Sequence, residues 1–204
     1  MKKVERLAGI IVRVDKHKEF DMRLTMFTPT GIQRLYATGL LRPKAKLRGA
    51  LQLFNLVEVE TAGTRITSAS VLSNMGGISK DIHRYYLACS ICESVAKLVR
   101  EGCELIFAWT LLALTMLAHA GEGEESAVSC YKIFIAYFAQ LLVMLGYDTE
   151  CNSRKLDEFK DARCSIEIDA VQIGLKEARQ CIKALNASFI SSLDFAIPHV
   201  ERFI

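Results

Sequence analysis

Proline occurs at only three positions in this 204-residue chain and glycine at twelve. Those counts exclude a collagen-like repeat and a Pro/Gly-rich linker or low-complexity chain. The common catalytic signatures are missing as well: there is no GxxxxGK[ST] phosphate loop, no HExxH helix and no GxSxG elbow. The four histidines, His17, His83, His119 and His199, are too scattered to share a metal by spacing. His119 closes an apolar run, where a hydrogen-bonded ring is expected rather than a base or a ligand. Long hydrophobic runs are in short supply. Leu105–Ala118 and Ile133–Leu145 are the strongest, and both fall below the ~18–20 residues a spanning helix needs. They are expected to be buried core helices, with no membrane partner. A secretory leader is not expected either, because Arg13, Asp15 and Lys16 interrupt the apolar stretch that follows the basic start. Seven cysteines, an odd number, fit reduced thiols in a cytoplasmic protein.

The remaining composition is that of a globular protein, with 51% hydrophobic and 24% charged residues and room for one or two domains. The net charge of +3 conceals a division. Residues 1–80 carry 14 Lys and Arg against 6 Asp and Glu, whereas residues 81–204 carry 12 against 17. A basic module joined to an acidic one is the pattern of a polyanion binder with a second role in its other half.

The apolar pattern changes near residue 76. Before it, five short runs are bounded by turn chemistry: Leu7–Val14, Asp21–Phe27, Ile32–Thr38, Leu51–Glu60 and Arg65–Leu72. Asp21–Phe27 alternates, with Met22, Leu24 and Met26 on one side and Asp21, Arg23 and Thr25 on the other. Thr28–Gly31 and Thr61–Thr64 read as turns. Five short strands in this span predict a small antiparallel barrel, with a single twisted sheet as the competitor. After Gly77 the period becomes helical. Ile82, Tyr85, Tyr86, Cys89, Cys92, Val95, Ala96 and Val99 form one stripe, with Ser79 as its candidate cap. The two very apolar segments are expected to form a helical hairpin around the polar loop Gly121–Ser126. A polar, poorly periodic stretch from Asp148 to Arg163 follows. A last amphipathic helix is expected from about Asp169 to Leu193, with Val171, Leu175, Ala178, Ile182, Leu185 and Phe189 inward. The fold class is therefore α+β: a barrel domain over 1–78 and a helical bundle domain over 79–204.

Chemistry-bearing clusters are few. Cys89-Ser90-Ile91-Cys92 is formally CxxC, but no second pair completes a zinc tetrahedron, and Cys151 and Cys164 stand alone. Small buried side chains on a helix stripe are the plainer reading, and no metal or cofactor is expected. Glu122, Glu124 and Glu125 read as a solvated loop. The informative stretch is Gln33–Phe54, where Arg34, Arg42, Lys44, Lys46 and Arg48 crowd into 15 residues with no carboxylate among them. Alternation at 42, 44, 46 and 48 would place four cations on one side of an extended segment, able to track phosphates, with Tyr36 nearby as a stacking ring. The competing reading is a solvated loop kept basic for solubility.

Residues 7–60 also resemble the N-terminal domain of the RecO family of bacterial recombination mediators. The likeness rests on Asp21, Leu24, Phe27, Thr28 and Gly31, then on Ala37, Gly39, Arg42, Pro43 and Lys44, and on Leu51 and Phe54, all in family order and spacing. Leu145-Gly146-Tyr147 is similar to the LGY that ends a family core helix. Ala45 stands where the family has Ser, and the four-cysteine zinc module that follows LGY in many members is not legible beyond Cys151. The resemblance implies an OB-fold followed by a helical domain, and a protein without enzymatic activity. It implies binding of single- and double-stranded DNA, strand annealing, and action with RecR to load the RecA recombinase onto DNA coated by single-stranded-DNA-binding protein. Such a protein would be cytoplasmic and nucleoid-associated. It also implies a seat in the helical half for the acidic C-terminal tail of the single-stranded-DNA-binding protein, for which Arg84, Lys97, Arg100 or Lys132 would supply the cation. Two other function classes compete: a non-catalytic module that binds an acidic protein partner, and a redox or metal enzyme built on Cys89 and Cys92.

Overall fold

The computed structural model describes residues 4–99, 102–121, 124–147, 154–162 and 165–202. The chain divides into two compact units. One comprises Met1–Gly76 with Cys92–Leu111, and the other Gly77–Ile91 with Leu112–Ile204.

The first unit is built on five strands: β1 (Val4–Lys16), β2 (Met22–Thr28), β3 (Gly31–Ala37), β4 (Leu56–Ala62) and β5 (Arg65–Ser73). They close into a barrel in the order β1-β2-β3-β5-β4, with β1 long enough to pair with both β2 and β4. All pairings are antiparallel except β3 with β5. This is the five-stranded OB-fold arrangement, not a single twisted sheet. Turn chemistry sets the register. Gly31 has φ of 118°, which only glycine adopts without strain, and the Thr28 hydroxyl donates to the Gly31 carbonyl at 2.8 Å. Alternating residues fill the interior: Ile11, Leu24, Met26, Leu35, Val57, Val59 and Ile66 form one core, closed by Leu40 and Leu51. Phe27 points the other way yet is equally buried, because the unit's helical residues cover it and Phe107 meets its ring edge-on at 5.5 Å.

Two expectations for this unit need correction. The fourth strand starts at Leu56 rather than Leu51. Phe54 adopts φ of 74°, which interrupts any strand, and Leu51 and Phe54 serve instead as buried plugs. The basic segment is likewise not extended. Its amides fold back in successive turns, Arg42 N–H onto the Gly39 carbonyl, Ala45 onto Arg42 and Arg48 onto Ala45. The alternation of cations with Leu47 and Ala45 comes from these turns, in which Leu47 packs against the barrel core while the cations face solvent.

The helices are α1 (Ile82–Leu98), α2 (Glu104–His119), α3 (Glu124–Met144), α4 (Arg154–Asp161), α5 (Ser165–Ala170) and α6 (Leu175–Leu193). Helix α1 is capped by Asp81, whose carboxylate accepts the Arg84 N–H at 2.9 Å; Ser79 lies in the preceding 3-10 turn. Helix α3 is the centre of the second unit. Its window Glu125–Met144 is long and apolar enough to cross a membrane by length and composition, but 67% of it is buried inside the protein. Phe134, Tyr137 and Phe138 are fully enclosed, and Phe138 meets Phe189 of α6 at 5.4 Å. Helix α3 packs on α4, α5 and α6. Within the stretch read as merely polar, α4 buries Leu156 and Phe159. The last helix begins at Leu175 after a break, and that residue is exposed, while Ala178, Ile182, Leu185 and Phe189 face inward as expected.

Candidate nucleic-acid interface

The outer face of β1, β2 and β3 carries two cross-strand rows. Arg13 stands opposite Thr25, and Thr25 opposite Arg34. Two residues along, Asp15 stands opposite Arg23, Arg23 opposite Tyr36, and Tyr36 opposite Arg65. Same-face neighbours in a sheet lie two residues apart along a strand, so the rows form one patch. Between them is a cleft of about 280 Å³ lined by Arg13, Asp15, Arg23, Thr25 and Arg34, with Ala96 of α1 among its other residues. Asp15 bonds Arg13 at 2.9 Å and lies 3.5 Å from Arg23. Arg34 is exposed and makes no ion pair with any described residue.

The β1–β2 loop and the basic turns flank this patch. Tyr36 is half-buried with its ring 5.1 Å from that of His17. The guanidinium of Arg42 sits over the Phe20 ring, 5.6 Å from its centroid. Asp21 joins the two segments: its carboxylate accepts the Gly39 N–H at 2.8 Å, and the Phe20 carbonyl accepts the Leu41 N–H at 3.1 Å. Gly39, at φ of 69°, allows the chain to turn there. Arg42, Lys44, Lys46 and Arg48 all face solvent. Five of the six expected contact residues thus point to solvent, and Tyr36 offers a partly covered ring. Arg13, Arg23 and Phe20 escape a reading of the sequence, because their membership depends on strand register. The signal for them lies in the basic residues at outward positions of the first two strands.

In the second unit, a cleft of about 680 Å³ is lined by Lys80, His83, Arg84, Leu87, Tyr131 and Arg179, among others. Arg84 is only 6% exposed, and its Nη2 donates to the Gly121 carbonyl. Burial pushes the Cys130 thiol up, while the Arg84 charge beside it pulls the other way. Of the four cations expected to serve a partner, Arg84 alone lines this cleft among the described residues. Lys97 is exposed on α1 and pairs with Glu93 at 3.9 Å, Lys132 is half-buried on α3, and Arg100 lies outside the described residues. Arg179 and Lys80, to which the sequence pattern gives no pointer, share the cleft with Arg84. Cys89 is half-buried and Cys92 buried on α1, and Cys151 and Cys164 lie outside the described residues.

Residues 1–75 match the family model described as "Recombination protein O N terminal". A curated "DNA repair protein RecO" from Roseiflexus sp. (strain RS-1) is 30% identical over 150 residues, covering 71% of this chain and 51% of that protein. Residues 1–75 carry a RecO N-terminal domain, and the chain is similar to a RecO protein over most of its length. It spans about half the length of the curated relative it matches.

The RecO-like motif residues divide by physical role. Leu24, Phe27, Ala37, Leu51 and Phe54 are buried core, Thr28 and Gly31 build the β2–β3 turn, and Asp21 and Gly39 clamp the flanking segments. Arg42 and Lys44 face solvent. Most of the RecO motif is therefore architecture, and its exposed cations are carried on a frame that the rest of the motif holds.

Proposed function

We propose that this protein is a non-catalytic DNA-binding mediator of recombinational repair. The observation that carries the reading is the run of exposed cations on one OB-fold barrel: Arg13, Arg23 and Arg34 on the strands and Arg42, Lys44, Lys46 and Arg48 in the adjoining turns. Such a surface takes phosphates without reading bases, by displacing counterions from the strand. Tyr36 and Phe20 offer rings against which an unpaired base can stack. Both single- and double-stranded DNA are ligands of this kind of face, and two strands screened by it anneal. We assign the acidic tail of a single-stranded-DNA-binding protein to the second cleft, whose lining combines Arg84 and Arg179 with Leu87 and Tyr131 and also includes Asp81. In this reading the protein works with RecR at the nucleoid to load recombinase.

The test is a fluorescence-anisotropy titration of labelled oligonucleotides at several salt concentrations. Arg42, Lys44, Lys46 and Arg48 replaced together by Ala should weaken binding, with the slope of log K against log salt flattened by ~0.7–0.9 for each phosphate that is no longer neutralised. Unchanged affinity and slope in the quadruple variant would remove the basic turns from the interface.

A further inference from the structure

Among the described residues, Asp15 is the one carboxylate lining the cleft on the barrel face. It sits opposite Arg23 in the β1–β2 ladder and two residues from Arg13 on the same side of β1. Both of its oxygens lie near the Arg13 Nε, at 3.0 and 2.9 Å, and Arg23 Nη2 is 3.5 Å away. One carboxylate thus engages two of the three guanidiniums in the cleft. The arginines remain accessible, with 61% of the Arg13 side chain and 46% of the Arg23 side chain exposed. A phosphate and a carboxylate compete for the same guanidinium N–H donors. Solvent-exposed ion pairs of this kind are weak enough to exchange.

Building on the DNA-binding reading of this face, we propose that Asp15 is a built-in competitor for the DNA phosphate. It holds Arg13 and Arg23 in place in the absence of DNA, yields them when a backbone phosphate arrives, and takes them back as the strand leaves. The site keeps its preformed geometry and its affinity stays limited, so bound DNA is released readily. A protein that must hand a strand onward needs that release.

The experiment uses the full chain and a fluorescein-labelled single-stranded oligonucleotide, with affinity, dissociation rate and salt dependence measured together. Asp15→Asn keeps the size of the side chain and removes its charge. Binding should tighten about two- to tenfold, as expected for the removal of exposed competing pairs. The gain should appear mainly as slower dissociation. The slope of log K against log salt should steepen by ~0.7–0.9, one net positive charge having been added. Asp15→Glu retains the charge and should stay close to the parent in slope. Should Asp15→Asn fail to fold, as judged by its thermal transition, Asp15→Ser asks the same question. Equal or weaker binding by a folded uncharged variant would overturn the proposal and make Asp15 an organiser of the arginines, with DNA binding itself intact. Absence of salt-dependent binding in the parent protein would instead overturn the DNA reading, and this proposal with it.

Discussion

Asn55 shows how a single polar side chain holds the barrel's closing segment. It is 2% exposed, and both ends of its amide are used: Nδ2 donates to the Ala50 carbonyl at 3.2 Å, and Oδ1 accepts the Met75 N–H at 3.1 Å. Its backbone carbonyl accepts the Ile11 N–H, and the preceding Phe54 N–H donates to the Ile11 carbonyl. The positive φ of Phe54 is thus stabilised by bonds on both sides and by burial of its ring. Replacing Asn55 by Ala leaves a buried N–H and a carbonyl unpaired. The expected drop is about 1–3 kcal/mol of stability, read as a lower denaturant midpoint at unchanged m-value. A midpoint equal to the parent's would show that water or a shifted neighbour takes over both bonds.

At the scale of elements, the basic turns are held in place from below and from one side. Leu40, Leu47 and Leu51 anchor them to the barrel core, and Asp21 fastens Gly39 to the β1–β2 loop. Asp21→Ala removes the side attachment and leaves the apolar anchors. The amides of Gly39 and Leu41 should then exchange with solvent faster, while the global unfolding transition moves little, because local openings report their own free energies. Equal exchange rates in parent and variant would assign the fixing of this segment to its leucines alone. How much of this is legible in the sequence follows the same division. The strands can be read because period-two alternation and turn residues such as Pro29-Thr30-Gly31 mark them directly. The start of β4 cannot, since Leu51 and Phe54 are apolar whether they lie in a strand or plug a barrel end. Helix α4 is hidden because eight residues with Leu156 and Phe159 as their buried pair give too short a pattern to stand out. The cations from 34 to 48 are visible as composition. Arg13 and Arg23 join them only through the β1–β2–β3 register, and Arg84 meets Arg179 only after a chain separation that no local pattern spans.

For the whole molecule, the charge is divided along the chain. The first 80 residues have a net charge of +8 and the remainder −5, from the counts of 14 against 6 and 12 against 17. Complementary strands repel through their phosphates, which slows encounter, although duplex formation is itself downhill. A cationic barrel face that neutralises phosphates on both strands raises their local concentration and requires no energy source. In the proposed reading, an acidic remainder would keep the protein from condensing onto DNA over its entire surface. The full chain should therefore accelerate annealing of complementary oligonucleotides with neither ATP nor magnesium present. The acceleration should fade as salt rises, and it should disappear when Arg42, Lys44, Lys46 and Arg48 are all replaced by Ala. The Asp15→Asn variant should bind more tightly yet turn over more slowly, so its advantage at limiting protein should shrink as DNA is added in excess. Annealing no faster than the uncatalysed rate, at salt where the protein binds DNA, would separate binding from mediation. The face would then serve to anchor the protein, and the acidic unit's cleft would be the place to look for its activity.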